Sequence, residues 1–177
     1  MKANILFRIA TSHDALRIQE LIESAFRAQD TRPNWTDGLD LTSHFTLGID
    51  EVLSTINAPD TATLIGFNED ETLVSSVSVS RKTDSTARLF WLAVHQNYQR
   101  GGLGRQTLAY AETYSRQTWA VDMMGLNALS TRVELRRWYV RHGYRETGET
   151  SPFPQEQVRA LHLPPELCFN EFNKNLS

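Results

Sequence analysis

The sequence has one cysteine, no long apolar run and no excess of basic residues. Cys168 can form no disulfide within the chain, so we expect a protein of the reducing cytoplasm. No stretch approaches the roughly 18 apolar residues that cross a bilayer. The pI of about 5.9 and the absence of a basic stripe with interleaved aromatics argue against nucleic-acid binding. The histidines are scattered, and no Cys/His pair has metal-ligand spacing, so we predict no metal.

The length of 177 residues, with 40% hydrophobic and 22% charged residues, predicts a single globular domain over residues 1–177. The net charge of −3 hides an asymmetry. Residues 1–80 carry 5 basic and 12 acidic side chains, whereas residues 81–177 carry 13 and 9. This polarity suits an anionic ligand in the second half and a cationic one in the first, although two unevenly charged solvated surfaces would give the same numbers.

The chain is organised around the stretch from Arg88 to Arg105. Both alternating faces of Leu89–Val94 are apolar, which predicts a central strand covered on both sides. From Leu103 the apolar period becomes that of an amphipathic helix. A glycine cluster lies between them, where the first-turn N–H groups lack partners and residues without Cβ allow close approach. The pattern predicts an anion-binding loop at the start of the helix.

Spacing separates the known loops of this kind. A P-loop requires Lys-Ser/Thr after its last glycine, and a dinucleotide loop requires a third glycine at position 107; neither is present. The run Gln99-Arg100-Gly101-Gly102-Leu103-Gly104 instead resembles the Gln/Arg-x-x-Gly-x-Gly/Ala signature of the GCN5-related N-acetyltransferases, the GNAT family. In that family the loop holds the pyrophosphate of acetyl-CoA. An ordinary glycine-rich turn is the alternative.

A second stretch resembles the same family further along the chain. Family members follow a strand with a short helix that ends in Tyr-x-x-x-Gly-Phe/Tyr, and Tyr139 with Gly143-Tyr144 matches this in type and spacing. The resemblance implies an α/β fold of the GNAT type, with a mixed sheet of about seven strands and helices on both faces. The sequence predicts the element order β-α-α-β-β-β-α-β-α-β-β.

The sequence also predicts several local features. Thr11 or Ser12 can cap the first helix, with Asp14 in its first turn and Leu16 on its apolar side. We expect an irregular segment over Gln29–Gly48, a loop over Arg81–Ala87, and a loop over residues 146–165 with at most a short helix at Gln155–Leu161. Cys168 lies in an apparent strand and is expected to be a small core residue.

The resemblance also implies the site residues and the reaction, which is transfer of an acetyl group from acetyl-CoA to a primary amine by direct attack. The backbone of Leu92, Ala93 and Val94 would pair with pantetheine, and Tyr139 would be the general acid for the leaving thiolate. Tyr139 could equally be a packing residue. The pyrophosphate would be bound by the loop and two adjacent arginines: Gln99, Arg100, Gly101, Gly102, Leu103, Gly104 and Arg105.

The chain departs from the family pattern at the second helix. Arg132 stands where the family more often has Asn, and Leu135 where it usually has Ala. Arg132, with Arg136, could contact cofactor phosphates or be solvated. No acid lies within Arg88–Val94 to act as a base, so Asp40, His44 and His95 are only nominal candidates.

We expect a small-molecule amine acceptor and allow for a homodimer, with no nucleic-acid or membrane partner. The alternatives are a protein or peptide N-acetyltransferase, a catalytically silent acyl-CoA-binding sensor, and an unrelated nucleotide-binding α/β domain. The missing Lys-Ser/Thr and third glycine argue against the last of these.

Overall fold

The computed structural model describes residues 4–28, 45–154 and 163–177. The helices and strands are β1 (Leu6–Ile9), α1 (Ala15–Arg27), α2 (Ile49–Ile56), β2 (Thr61–Phe67), β3 (Leu73–Arg81), β4 (Thr86–Val94), α3 (Leu103–Trp119), β5 (Met123–Leu129), α4 (Val133–Arg141), β6 (Arg145–Pro152) and β7 (Cys168–Asn175). The strands form one mixed sheet in the order β1-β2-β3-β4-β5-β7-β6, in which β4 and β5 are parallel and the other neighbours antiparallel.

Two apolar cores lie on the two faces of the sheet. One packs α1 and α2 against β2, β3 and β4 and includes Ile18, Ile22, Val52 and Ile65. The other packs α3 against β3, β4 and β5 and includes Leu108. The predicted element order and the seven-stranded mixed sheet of a GNAT-like α/β fold are confirmed. None of the helices in the described ranges is long and apolar enough to cross a membrane.

A buried carboxylate fixes the beginning of α1. Asp14 is 1% exposed and accepts hydrogen bonds from Arg8, Arg17 and the Thr11 backbone N–H. The Arg8 guanidinium is the main reason that the pKa of Asp14 lies well below its ordinary value, against the opposing effect of burial. The sequence predicted Thr11 or Ser12 as the cap and Asp14 in the first turn. Leu16, which we expected on the apolar side, is 58% exposed.

Two strands differ from the prediction. β4 begins at Thr86, within the segment predicted to be a loop, and β6 runs to Pro152 although residues 146–165 were expected to lack strands. β6 is an edge strand with mostly exposed side chains, so it has no apolar alternation by which to recognise it. Cys168, expected in the core, is only half-buried. Most of the predicted irregular segment 29–48 and the possible helix at Gln155–Leu161 lie outside the described residues.

Candidate active site

The central strands β4 and β5 pair only at their beginnings. Their parallel register runs from Thr86 opposite Met123 to Arg88 opposite Gly125. Beyond Arg88, β4 continues to pair with β3 as far as Val94, but not with β5 in this part of the sheet. The backbone of Leu92, Ala93 and Val94 therefore pairs with no residue of β5, and we call the gap between the two strands here the cleft.

An irregularity in β4 sets the direction of its side chains next to the cleft. The β3–β4 register shifts between Ser76 and Ser78, and Trp91 opposite this shift has a left-handed φ of 53°. A β-bulge of this kind turns the following side chains. After it, Leu92 packs against the core on the α3 face and Ala93 belongs to the core on the α1 face. Left-handed conformations of non-glycine residues are costly and cluster at functional sites.

Two side chains hold the loop to the end of β4. The Asn97 backbone N–H donates to Nδ1 of His95 at 3.2 Å, which caps a short 3-10 turn over Gln96–Tyr98. The side-chain amide of Gln99 donates through Nε2 to the Val94 backbone carbonyl at 3.3 Å. His95, a nominal base, is thus part of the turn. The structure gives Gln99 a positioning contact with the strand, which the sequence pattern did not reveal.

The glycine loop encloses open space in front of α3. Arg100 and Gly102 are left-handed, with φ of 68° and 83°. A Cβ built on Gly102 would meet nothing within 4 Å, and one on Gly101 would meet only the Tyr98 carbonyl at 3.7 Å. α3 begins directly afterwards at Leu103, and the N–H groups of a first helical turn have no partner within the helix. Space, free donors and the helix dipole together fit a pyrophosphate.

The loop touches the second predicted stretch through Gly104. A Cβ built there would lie 3.6 Å from Trp138 and 3.8 Å from the Val94 side chain. Alanine would make ordinary van der Waals contacts, in agreement with the Gly/Ala of the family signature. Leu103 is buried in the core, and Arg105 is exposed beside the helix N-terminus. The structure therefore brings the loop, the end of β4 and α4 together.

Tyr139 lies inside this arrangement and is 6% exposed. Its ring lies 5.8 Å from that of Tyr144 and 6.1 Å from that of Phe172, measured between centroids. Burial raises the pKa of Tyr139 to about 12, while the charge of Arg132 acts in the opposite direction. Within the described part of the chain, the Tyr139 hydroxyl makes no hydrogen bond. Its phenol is therefore neutral at physiological pH and retains its proton.

The neighbouring tyrosine, Tyr144, has a hydrogen-bonded hydroxyl. The Tyr144 hydroxyl donates to Glu112 at 2.9 Å, and the same carboxylate accepts from Lys174 at 2.9 and 3.0 Å. Burial, followed by the negative charge of Glu112, raises the pKa of Tyr144 far above its ordinary value. Of the two tyrosines in the motif, Tyr139 alone has a hydroxyl that is not committed to a described side chain.

The two arginines of the second stretch have different surroundings. Arg132 precedes α4 and acts electrostatically on Tyr139. Arg136 donates to Glu146 at 2.6 and 3.0 Å and to the Ser130 carbonyl, so its guanidinium is held at β6.

Asp40 and His44 lie outside the described residues, so nothing here bears on them as bases. Over residues 4–28, 45–154 and 163–177 no three His, Cys, Asp or Glu side chains are grouped as metal ligands. One charged pair beside the cleft has no signal in the local sequence. Arg88 on β4 binds Glu171 on β7, and 83 residues separate them, so no local motif could have indicated the contact.

The model of the acetyltransferase (GNAT) family matches residues 17–147, which include the loop, the cleft and Tyr139. The chain belongs to the GNAT family. It is an acetyl-CoA-dependent N-acetyltransferase of that family, and the identity predicted from two short motifs is confirmed. Comparison with curated proteins gives no significant sequence match.

Solved structures of acetyltransferases share the fold of this GNAT protein at low sequence identity. The ribosomal-protein-S18-alanine N-acetyltransferase of Escherichia coli has a TM-score of 0.72 and 14% identity, covering 98% of this chain and 95% of that one. The Salmonella typhimurium protein yncA, solved with acetyl-CoA, has a TM-score of 0.69 and 20% identity, covering 99% and 95%. The spermidine/spermine N-acetyltransferase of Vibrio cholerae has a TM-score of 0.68 and 13% identity, covering 98% and 93%.

Proposed function

We propose that this GNAT protein binds acetyl-CoA along the cleft between β4 and β5 and transfers its acetyl group to a primary amine of a small molecule. The observation that carries the proposal is the separation of β4 from β5 beyond Arg88, with a buried, protonated Tyr139 nearby and an open glycine loop at the end of β4. Acetyl-CoA supplies the activated thioester, and the protein supplies binding, orientation and protons.

Binding begins at the loop. The backbone N–H groups of Arg100, Gly101, Gly102, Leu103 and Gly104 hold the pyrophosphate, and the open space over Gly101 and Gly102 lets the oxygens approach. The Gln99 backbone N–H donates to the Gln96 carbonyl at 3.3 Å, so Gln99 contributes by positioning the loop. The side chains of Arg100 and Arg105 add positive charge. Arg132 is a further phosphate ligand in this proposal, and its place before α4 keeps it on the side of Tyr139.

The backbone of Leu92, Ala93 and Val94 pairs with pantetheine, because β5 leaves that side of β4 without a partner strand. One of these N–H groups polarises the thioester carbonyl. A fixed donor aimed at the oxygen stabilises the charge that develops there as the amine attacks, and such donors commonly contribute about 3 to 4 kcal/mol. The side chains of these residues remain structural.

Tyr139 donates its proton to the leaving sulfur. A phenol of pKa about 12 is some 3.5 pKa units weaker as an acid than a free thiol, equivalent to roughly 5 kcal/mol. Tyr139 therefore acts first as a hydrogen-bond donor to the sulfur, and the nearby Arg132 charge lowers the cost of transfer. An alkylamine of pKa about 10.4 is almost wholly protonated at pH 7, a penalty of about 4.6 kcal/mol that a base must meet. We assign no residue to that role.

A small acceptor is the class that we propose, and structures that share the fold bear names of both kinds. The Vibrio cholerae enzyme is named for spermidine and spermine, whereas the Escherichia coli enzyme is named for an alanine of a ribosomal protein. A peptide acceptor is the second candidate. A cytoplasmic location, consistent with the single cysteine, and a homodimer belong to the proposal as well.

The experiment is thiol release from acetyl-CoA with a panel of diamines, amino acids, aromatic amines and short peptides with free N-termini. We expect release with at least one small amine. Release with peptides alone would replace the small-molecule proposal with the peptide one. Acetyl-CoA binding without release for any acceptor would support the silent sensor.

A further inference from the structure

A partly buried ion pair lies where the pairing of β4 with β5 ends. Arg88 donates to Glu171 through Nη1 at 3.0 Å and Nη2 at 3.3 Å, with side-chain exposures of 33% and 19%. We propose that this pair, here named the clasp, is a positioning device. It fixes β4 relative to the β5–β7 half of the sheet and so aligns the two sides of the acetyl-transfer site. The inference rests on the function proposed above.

The clasp crosses β5 at a residue without a side chain. Arg88 pairs with Gly125 at the last register position of the two parallel strands. A Cβ built on Gly125 would lie 3.9 Å from Nη1 of Arg88 and 3.7 Å from the Phe172 carbonyl. These are ordinary contacts, so alanine would fit, but a longer side chain would occupy the path of the guanidinium. Gly125 thus allows Arg88 to reach past β5 to β7.

The receiving carboxylate is held in place from several strands. Ser151 on β6 donates to Glu171 at 3.2 Å, and Asn127 on β5 lies directly opposite Glu171 in the β5–β7 register. Burial alone would raise the pKa of Glu171, but the Arg88 guanidinium and the Ser151 and Asn127 side chains hold it below its ordinary value. Glu171 is therefore ionised at neutral pH. The pair thus connects four strands, β4, β5, β6 and β7.

The position of the clasp allows it to affect how Tyr139 is aligned with the thioester. β4 leads to the glycine loop and carries the backbone of residues 92–94, whereas β5 leads to α4 and Tyr139. The two strands share only the short register that ends at Arg88 and Gly125. Pyrophosphate binding uses mainly the loop that follows β4, and Arg132 is the one contact proposed from the β5 side. Proton donation requires Tyr139 to meet a thioester that β4 holds, and therefore requires both sides in register.

The test measures kcat and the Kd for CoA separately in three variants. They are Arg88→Met, Glu171→Gln, and the double variant that exchanges the two charges, Arg88→Glu with Glu171→Arg. We expect each single variant to lower kcat at least tenfold while the Kd for CoA changes less than threefold, and the exchange to recover part of the loss. Arg81→Met is the matched control, because Arg81 makes a comparable 2.8 Å ion pair with Asp60 at the end of β3, away from the cleft. Its kcat should equal that of the wild type.

Two variants of Gly125 test whether the Arg88 side chain must pass over this residue, and they leave both charges of the clasp in place. Gly125→Ala should keep the wild-type kcat, and Gly125→Leu should behave like Glu171→Gln. A purely structural ion pair would lower the melting temperature and leave kcat unchanged at temperatures where the variant is folded. Unchanged kcat in the folded Arg88→Met and Glu171→Gln variants overturns the clasp.

Hydrogen–deuterium exchange with CoA tests the clasp without an acceptor. In the wild type, CoA should protect both the loop, residues 99–105, and α4. In the clasp variants the loop should stay protected and α4 should lose its protection. Equal protection of α4 in variant and wild type contradicts the inference but leaves the proposed function standing. Failure of the wild type to bind CoA overturns both.

Discussion

A negative charge placed in the glycine loop should weaken acetyl-CoA binding by an amount that can be worked from the structure. Gly101 is the suitable position, because its φ is not left-handed and a Cβ built there would meet only one atom, 3.7 Å away. Gly101→Glu therefore introduces a carboxylate with little backbone strain. Gly101→Gln adds the same bulk without the charge, and Gly101→Ala adds only the Cβ.

The magnitude follows from Coulomb's law. A carboxylate about 5 Å from each of the two pyrophosphate charges costs about 0.8 kcal/mol per charge at the dielectric constant of water, or about 1.7 kcal/mol in all. This corresponds to a Kd for acetyl-CoA about 20-fold higher for Gly101→Glu than for Gly101→Gln. A lower effective dielectric near the protein would enlarge the difference, and screening by salt would reduce it.

Calorimetric titration with acetyl-CoA measures the difference, and repetition in 1 M salt gives an internal check. The Debye length falls from about 10 Å at 0.1 M to about 3 Å at 1 M, so the Glu–Gln difference should largely disappear. Equal affinities for the Glu and Gln variants at low salt would refute the placement of the pyrophosphate at this loop. A loss already present in Gly101→Ala would point to crowding instead of charge.

Other positions give predictions of different kinds. Tyr139→Phe should lower kcat and leave the Kd for CoA unchanged. The shape of the pH–rate profile between pH 6 and 9 should be the same in the variant and the wild type, because the pKa of Tyr139 is about 12. An unchanged kcat would make Tyr139 a packing residue. Asp14→Asn should cost about 1.5 to 3 kcal/mol at pH 7 by chemical denaturation. Because folding lowers the pKa of Asp14, its contribution to the free energy of unfolding is fully present above about pH 4 and is lost as the pH falls through the folded pKa. The stabilities of the wild type and Asp14→Asn should therefore converge on acidification. The control Asp60→Asn, at an exposed ion pair, should match the wild-type stability at every pH. Gly102→Ala, at φ 83°, should lower the melting temperature by a few degrees, while Gly104→Ala within α3 should not; equal effects would contradict the loop geometry.

The parts of the fold that the sequence predicted are those with a local signal. The two-faced apolar run of Leu89–Val94, the glycines before α3 and the helical period of α3 each depend on neighbouring residues, and each is present in the structure. β6 has no such signal, because a polar edge strand is defined only by its hydrogen bonds to β7.

The candidate site divides in the same way. Tyr139 and the loop were recognisable from spacing, and their approach through Trp138 and Gly104 follows from the family fold. The Arg88–Glu171 pair could not be predicted, because it depends on β7 lying beside β5 and on Gly125 leaving room between them. The left-handed Trp91 is equally a result of tertiary packing, since nothing in its local sequence favours a positive φ.

The most direct test of acetyl-CoA binding to this chain is thermal unfolding with and without acetyl-CoA, with ATP and NAD as controls. At 100 times the Kd, binding to the folded state stabilises it by about 2.7 kcal/mol. For a domain of this size, that raises the melting temperature by about 5 to 10 °C. We predict such a rise with acetyl-CoA alone. No rise at millimolar acetyl-CoA, or an equal rise with ATP or NAD, would contradict the proposed site.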